Sequence, residues 1–111
     1  MNILDETTAL VTGLELLVET GVFSDTAPDT YCVLTPLSDT LELYANNMPE
    51  FETQEVRISL YSKTNYLQNK NALVSALLGN GFTITARQYI AHEDDTGYHH
   101  YAIDIAKIYP L

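Results

Sequence analysis

The sequence predicts an α+β fold, an antiparallel sheet of about four strands with two helices packed on one face, in the order α-β-β-α-β-β. Three observations lead there. Two segments repeat their apolar residues near every 3.6 positions, one central segment alternates apolar and polar residues, and two strand-like runs near the C-terminus are separated by a four-residue turn. With 111 residues, 46% of them hydrophobic, the chain is read as one domain over residues 1–111 that buries a two-layer core without metal or disulfide staples.

The first helix is expected from about residue 3 to 20. Ile3, Leu4, Val11, Leu14, Leu17 and Val18 form a stripe joined by Leu10, Asp5, Glu6, Glu15 and Glu19 lie largely off it, and Gly21 is placed as its stop. Gly13, inside that helix, weakens it and reads first as a tolerated glycine, with room for a close backbone approach as the alternative. Residues 24–30 carry turn chemistry, and Tyr31 to Thr35 are β-formers that make the first strand. Residues 36–52, with two prolines and two asparagines among Leu41, Leu43, Tyr44, Met48 and Phe51, read as a long loop too apolar to be merely solvated. From Glu55 to Lys63 the alternation is clean, with Val56, Ile58 and Leu60 on one face and Arg57, Ser59 and Tyr61 on the other.

Thr64 or Asn65 caps a second helix running to about residue 78, with Leu67, Leu73, Val74, Leu77 and Leu78 inward, and Gly79-Asn80-Gly81 ends it. If Asp94-Asp95-Thr96-Gly97 is the whole turn of the final hairpin, residues whose numbers sum to 191 face each other. That register sets Phe82 across from Tyr109, Ala86 from Ile105, Ile90 from Tyr101, Arg87 from Asp104 and His92 from His99.

Charge narrows the function classes. Fifteen acids against five bases give −10, and residues 1–55 hold eleven of the acids with no Lys or Arg. Gripping a phosphate backbone or an anionic membrane needs clustered bases, so the sequence argues against nucleic-acid binding and membrane adhesion. No apolar run approaches the ~20 residues of a membrane span, and the first residues lack a basic, then apolar, signal pattern, which predicts a protein that stays in the cytosol.

The chemistry-bearing residues are few. His92-Glu93-Asp94-Asp95 with His99 and His100 crowd the hairpin tip, where His92, His99 and a carboxylate could hold a zinc-like ion, yet the spacing matches no metal motif and leaves a fourth ligand unassigned. A solvated or interfacial tip is the stronger reading. Cys32, the lone cysteine, sits in apolar and then acidic surroundings that raise a thiol pKa, so it reads as a core residue. With no catalytic motif and no cofactor signature, the expectation is a non-enzymatic protein. Eight tyrosines, of which Tyr44, Tyr61, Tyr66, Tyr89 and Tyr98 fall off the inferred core faces, point to an interface.

The stretches VLTPLSDTLELYANNMPE, QEVRISLYSKTNYLQNKNALVSALL and FTITARQYIAHEDDTGYHHYAIDIAKIY resemble a family of small tail proteins encoded by tailed phages and prophages of Gram-positive bacteria. In size and element order these are similar to tail-terminator, or head–tail joining, proteins. The resemblance covers roughly residues 31–109, and the first helix matches by type only. It implies a homo-oligomeric ring, commonly of six copies, that caps the tail tube, meets the head connector and lets DNA pass. The protein would then be a virion component assembled in the host bacterial cytoplasm. On that reading Leu41, Leu43, Tyr44, Met48 and Phe51 make subunit or tube contacts, and Glu50 and Glu52 line an acidic lumen that repels phosphate. Other minor tail or head-closure adaptors, and a small metal-binding protein using His92 and His99, are the alternatives.

Overall fold

The computed structural model describes residues 2–21, 28–43 and 49–111. In chain order the elements are α1 (Ile3–Gly13), β1 (Leu17–Thr20), β2 (Thr30–Leu43), β3 (Pro49–Ser62), α2 (Tyr66–Gly79), β4 (Thr83–His92) and β5 (His99–Pro110). The strands form one sheet in the order β1-β2-β3-β5-β4. Among the described residues the fold is α+β with two helices, as the sequence predicts, but the sheet has five strands and is mixed, because β1 runs parallel to β2.

That extra strand comes out of the expected first helix. Asn2 caps α1 by accepting the Asp5 N–H at 2.8 Å, and the helix runs only to Gly13. There Glu15 turns left-handed at φ 63°, its N–H donates to the Thr12 carbonyl at 2.9 Å, and the Leu16 N–H reaches the Val11 carbonyl at 3.3 Å. These two bonds are those of a Schellman stop, with Leu16 folded back onto the core as the motif's apolar contact. Leu17 to Thr20 then pair with Tyr31 to Leu34. Gly21, at φ 85°, ends β1 and not the helix. Gly13 meets nothing within 4 Å; it borders an open groove of about 520 Å³ with Ala9, Ala76, Phe82 and Lys107, so no backbone uses the space it leaves.

Alternate residues of the sheet make the core. Cys32 and Leu34 of β2, Val56, Ile58 and Leu60 of β3, and Ile103 and Ile105 of β5 are fully buried against Ile3 and Val11 of α1 and Leu73 and Leu77 of α2. Both helices therefore cover one face. The helix cap is as expected, Asn65 accepting the Gln68 N–H at 3.2 Å. Its inward residues are fewer: Leu67 and Leu78 are 50% and 59% exposed, because α2 touches the sheet along a narrow stripe centred on Leu73 and Leu77.

The expected loop over 36–52 is largely strand. β2 continues to Leu43 and β3 begins at Pro49, with register shifts between Pro36 and Ser38 and between Glu42 and Leu43 that break the two-residue period. The final hairpin keeps its expected register only at the tip, where His92 faces His99 and Ala91 faces His100. Bulges between Tyr89 and Ala91 and between Ile84 and Ala86 then slip it, so Ile105 faces Ile84, Tyr101 faces Tyr89 and Arg87 faces Ile103. Asp104 turns instead to its β3 neighbour Arg57, in a two-pronged pair at 2.7 and 3.0 Å on the face without helices.

Candidate functional site

Three features lie outside the shared core. The first is an arm. β1 pairs with β2 only through Leu34, so from Thr35 to Leu43 the outer edge of β2 has no strand partner among the described residues. With β3 on its other side, β2 extends the sheet into a molecule 54 Å long and 22 Å thick.

Cross-strand register sorts the arm's side chains. Asp39 faces Gln54 and Leu41 faces Glu52, positions in phase with Val56 and Ile58 and so on the face that carries the helices. Leu41 is 56% exposed. Glu52 shares that face, half-buried and accepting from the Gln54 amide, and Glu50, the extra residue at the register shift of β3, is exposed. Gln54 in turn accepts the Ile3 N–H at 2.8 Å, which ties the start of α1 to the root of the arm. Phe51, facing Pro110, lies on the opposite face, where Glu55 accepts from the Ser38 hydroxyl at 2.6 Å. The five sequence-expected contact residues therefore do not form one described patch: Leu41 and Phe51 point to opposite sides, Leu43 is placed on β2 opposite Pro49 by its backbone, and Tyr44 and Met48 lie outside the described residues. Between residues 36 and 56 the chain has five acids and no Lys or Arg.

The second feature is an aromatic patch on the helix-free face. Tyr31 stacks on Tyr61 at 4.9 Å between ring centroids, Tyr61 stacks on His100 at 4.3 Å, and Tyr98 meets Tyr31 edge-on at 5.4 Å. The Tyr98 hydroxyl donates to the Pro28 carbonyl, and the Lys63 ammonium sits 4.9 Å from its ring centroid. Small Ser59 and Ala102, which face each other between this stack and the Arg57–Asp104 pair, are buried. Tyr98, expected off the core, is only 7% exposed, since the ring that leaves one face is taken up by the other. Burial raises the pKa of Tyr31 and Tyr61 and lowers that of His100, whose Nε2 has no hydrogen-bond partner among the described residues.

The third feature is the hairpin tip. His92 and His99 do come together, with ring centroids 4.7 Å apart, and Asp94 lies 3.0 Å from His92 Nδ1. His99 Nδ1 is taken by the Tyr89 hydroxyl at 2.9 Å, and its ring lies 5.1 Å from that of Tyr66. Among the described residues no three His, Cys, Asp or Glu side chains gather around a common point. The second imidazole is thus held by tyrosines of β4 and α2, an arrangement suited to packing. Cys32 is buried, and burial pushes its thiol up to about 12, far from a thiolate at neutral pH. No described helix is long and apolar enough to cross a membrane. Neither protein-family models nor curated proteins give a match to this chain.

Proposed function

We propose that the chain is a structural protein of a tailed phage or prophage, a tail terminator whose copies form a ring that caps the tail tube and joins it to the head. What supports the reading is the arm. Among the described residues a strand edge is left open over Thr35 to Leu43, exposed Leu37 and Leu41 lie along it, Asp39 and Glu52 share one of its faces, Glu50 is exposed near them, and the sequence has no Lys or Arg between residues 1 and 56. Open edges and exposed leucines serve assembly, and uncompensated carboxylates suit a wall past which DNA slides without sticking. Glu50 and Glu52 line the lumen in this reading, the tube protein and the head connector are the partners, and assembly takes place in the host bacterial cytoplasm.

The test is electron microscopy of purified protein mixed with tail tubes of the parent virion. Density capping tube ends is expected; bare ends at saturating protein would reject the assignment. Replacing Glu50 and Glu52 together with Lys is expected to leave capping intact and to slow DNA ejection from the assembled particle, measured by dye release. Unchanged ejection would remove these two carboxylates from the lumen.

A further inference from the structure

Among the described residues the sheet has two open edges, and they match. Resting on the ring reading above, we infer that neighbouring copies join edge to edge, the outer edge of β2 around Asp39 adding to the outer edge of β4 around Arg87 of the next copy. β4 is the last strand of the sheet and pairs only with β5 among the described residues, and all of it but Ile84 is exposed. Three successive antiparallel pairings separate β2 from β4, so the two strands run in opposite directions within one chain. Two copies in the same orientation therefore bring β2 and β4 together antiparallel, without inverting either molecule. Such a contact joins unlike surfaces and propagates head to tail, the type that closes into a ring.

Side chains select the register. Arg87 faces Ile103 and so lies on the helix-bearing side of β4; it is exposed and makes no ion pair among the described residues. Asp39 lies on the same side of β2, also exposed and without an ion pair among the described residues. Setting Asp39 opposite Arg87 places exposed Leu41 beside half-buried Ile84 on that side and exposed Thr40 opposite exposed Ala86 on the other. Opposite charges directly across an antiparallel pair stabilise it, and like charges there oppose it. Pro36 has no N–H to donate and the strand bulges just after it, so the pairing segment begins at Ser38.

The experiment uses the full chain with Thr40→Cys and Ala86→Cys. In one chain these positions lie on opposite edges of the sheet, so a disulfide between them is intermolecular, and directly paired positions satisfy its geometry. Mixing the two single variants under mild oxidation is expected to give a covalent dimer, and the double variant a ladder ending at a closed ring, by denaturing electrophoresis and mass spectrometry. Asp39→Lys and Arg87→Glu are each expected to raise the concentration for half-assembly about tenfold in sedimentation velocity, and the two combined to restore it. Assembly of the parent protein with no Thr40–Ala86 cross-link and no effect of either charge reversal overturns the edge contact and leaves the ring standing. A ladder that runs on into filaments keeps the contact and overturns the ring. A parent protein that stays monomeric alone and on tube ends overturns both.

Discussion

Glu15 adopts the left-handed conformation that a Schellman stop demands at its C′ position, where glycine is the usual occupant. A side chain there costs about 1 kcal/mol through crowding of its Cβ, partly offset by the greater unfolded-state freedom of glycine. Glu15→Gly is therefore expected to stabilise the fold by up to about 0.5 kcal/mol, read as a higher midpoint in urea unfolding; a loss of stability would mean that the carboxylate has a role the backbone does not reveal. His100 presents the opposite case, a ring stacked on Tyr61 whose charged form burial disfavours. Its folded pKa lies below its ordinary value, so its contribution is fully present above about pH 6.5 and is lost as pH falls through the lowered folded value. Relative to the parent, His100→Phe keeps the stack and is expected to flatten the stability curve below about pH 6.5, measured by chemical denaturation across pH. Parallel curves for the two proteins would assign the acid-side slope to other groups.

At the scale of elements, the two leucines that end α2 test how the helix faces the sheet. Leu77 is fully buried and Leu78 is 59% exposed. Leu77→Ala is expected to cost about 2–5 kcal/mol and Leu78→Ala under about 1 kcal/mol, compared by thermal unfolding. Equal costs would place both in the core. α2, the second half of β3 and the tip of the last hairpin were legible in the sequence because each has an unbroken period: a cap followed by spaced leucines, the Val56-Ile58-Leu60 alternation, and a turn that leaves His92 opposite His99. What was not legible has local causes. Leu14, Leu17 and Val18 continue a helical stripe on paper, and nothing short of the left-handed turn at Glu15 and the pairing with Tyr31 to Leu34 reveals β1. Each bulge in β2 and β4 shifts the alternation by one residue, which hid the arm within an apparent loop and sent Arg87 to the face opposite Asp104. Of the candidate residues, the pairing of His92 with His99 follows from strand spacing alone; the placement of Leu41, Glu50, Glu52 and Phe51 does not, because it required knowing that they belong to strands.

For the molecule as a whole, a charge of −10 opposes self-association. Copies brought side by side repel until counterions screen them, and the screening distance falls from about 30 Å at 0.01 M salt to about 8 Å at 0.15 M. Assembly is therefore expected to strengthen with ionic strength, read as a rising mean mass in sedimentation at fixed protein concentration. Weaker assembly in salt would mean that attractive pairs such as Asp39 with Arg87 outweigh the net repulsion. The placement of the charge matters as much as its size: the acids of residues 1–55 have no bases among them, and the two ion pairs Arg57–Asp104 and Lys107–Glu6 fix two of the five cations within the molecule.

The bulges have one more consequence, for the safety of the free chain. A straight, flat strand edge presents an unbroken row of backbone donors and acceptors to which any extended peptide can add, the start of amyloid-like growth. Among the described residues both open edges are interrupted, β2 at Leu37 and β4 at Thr85 and at Ile90, whereas the shift near Glu42 comes from the extra residue Glu50 on β3. The uninterrupted runs left to pair are short, 38–43 on β2 and 86–89 on β4, which makes them poor templates for a fibril. The irregularities that obscured these strands in the sequence thus also shorten the edges that the free chain presents to other extended peptides.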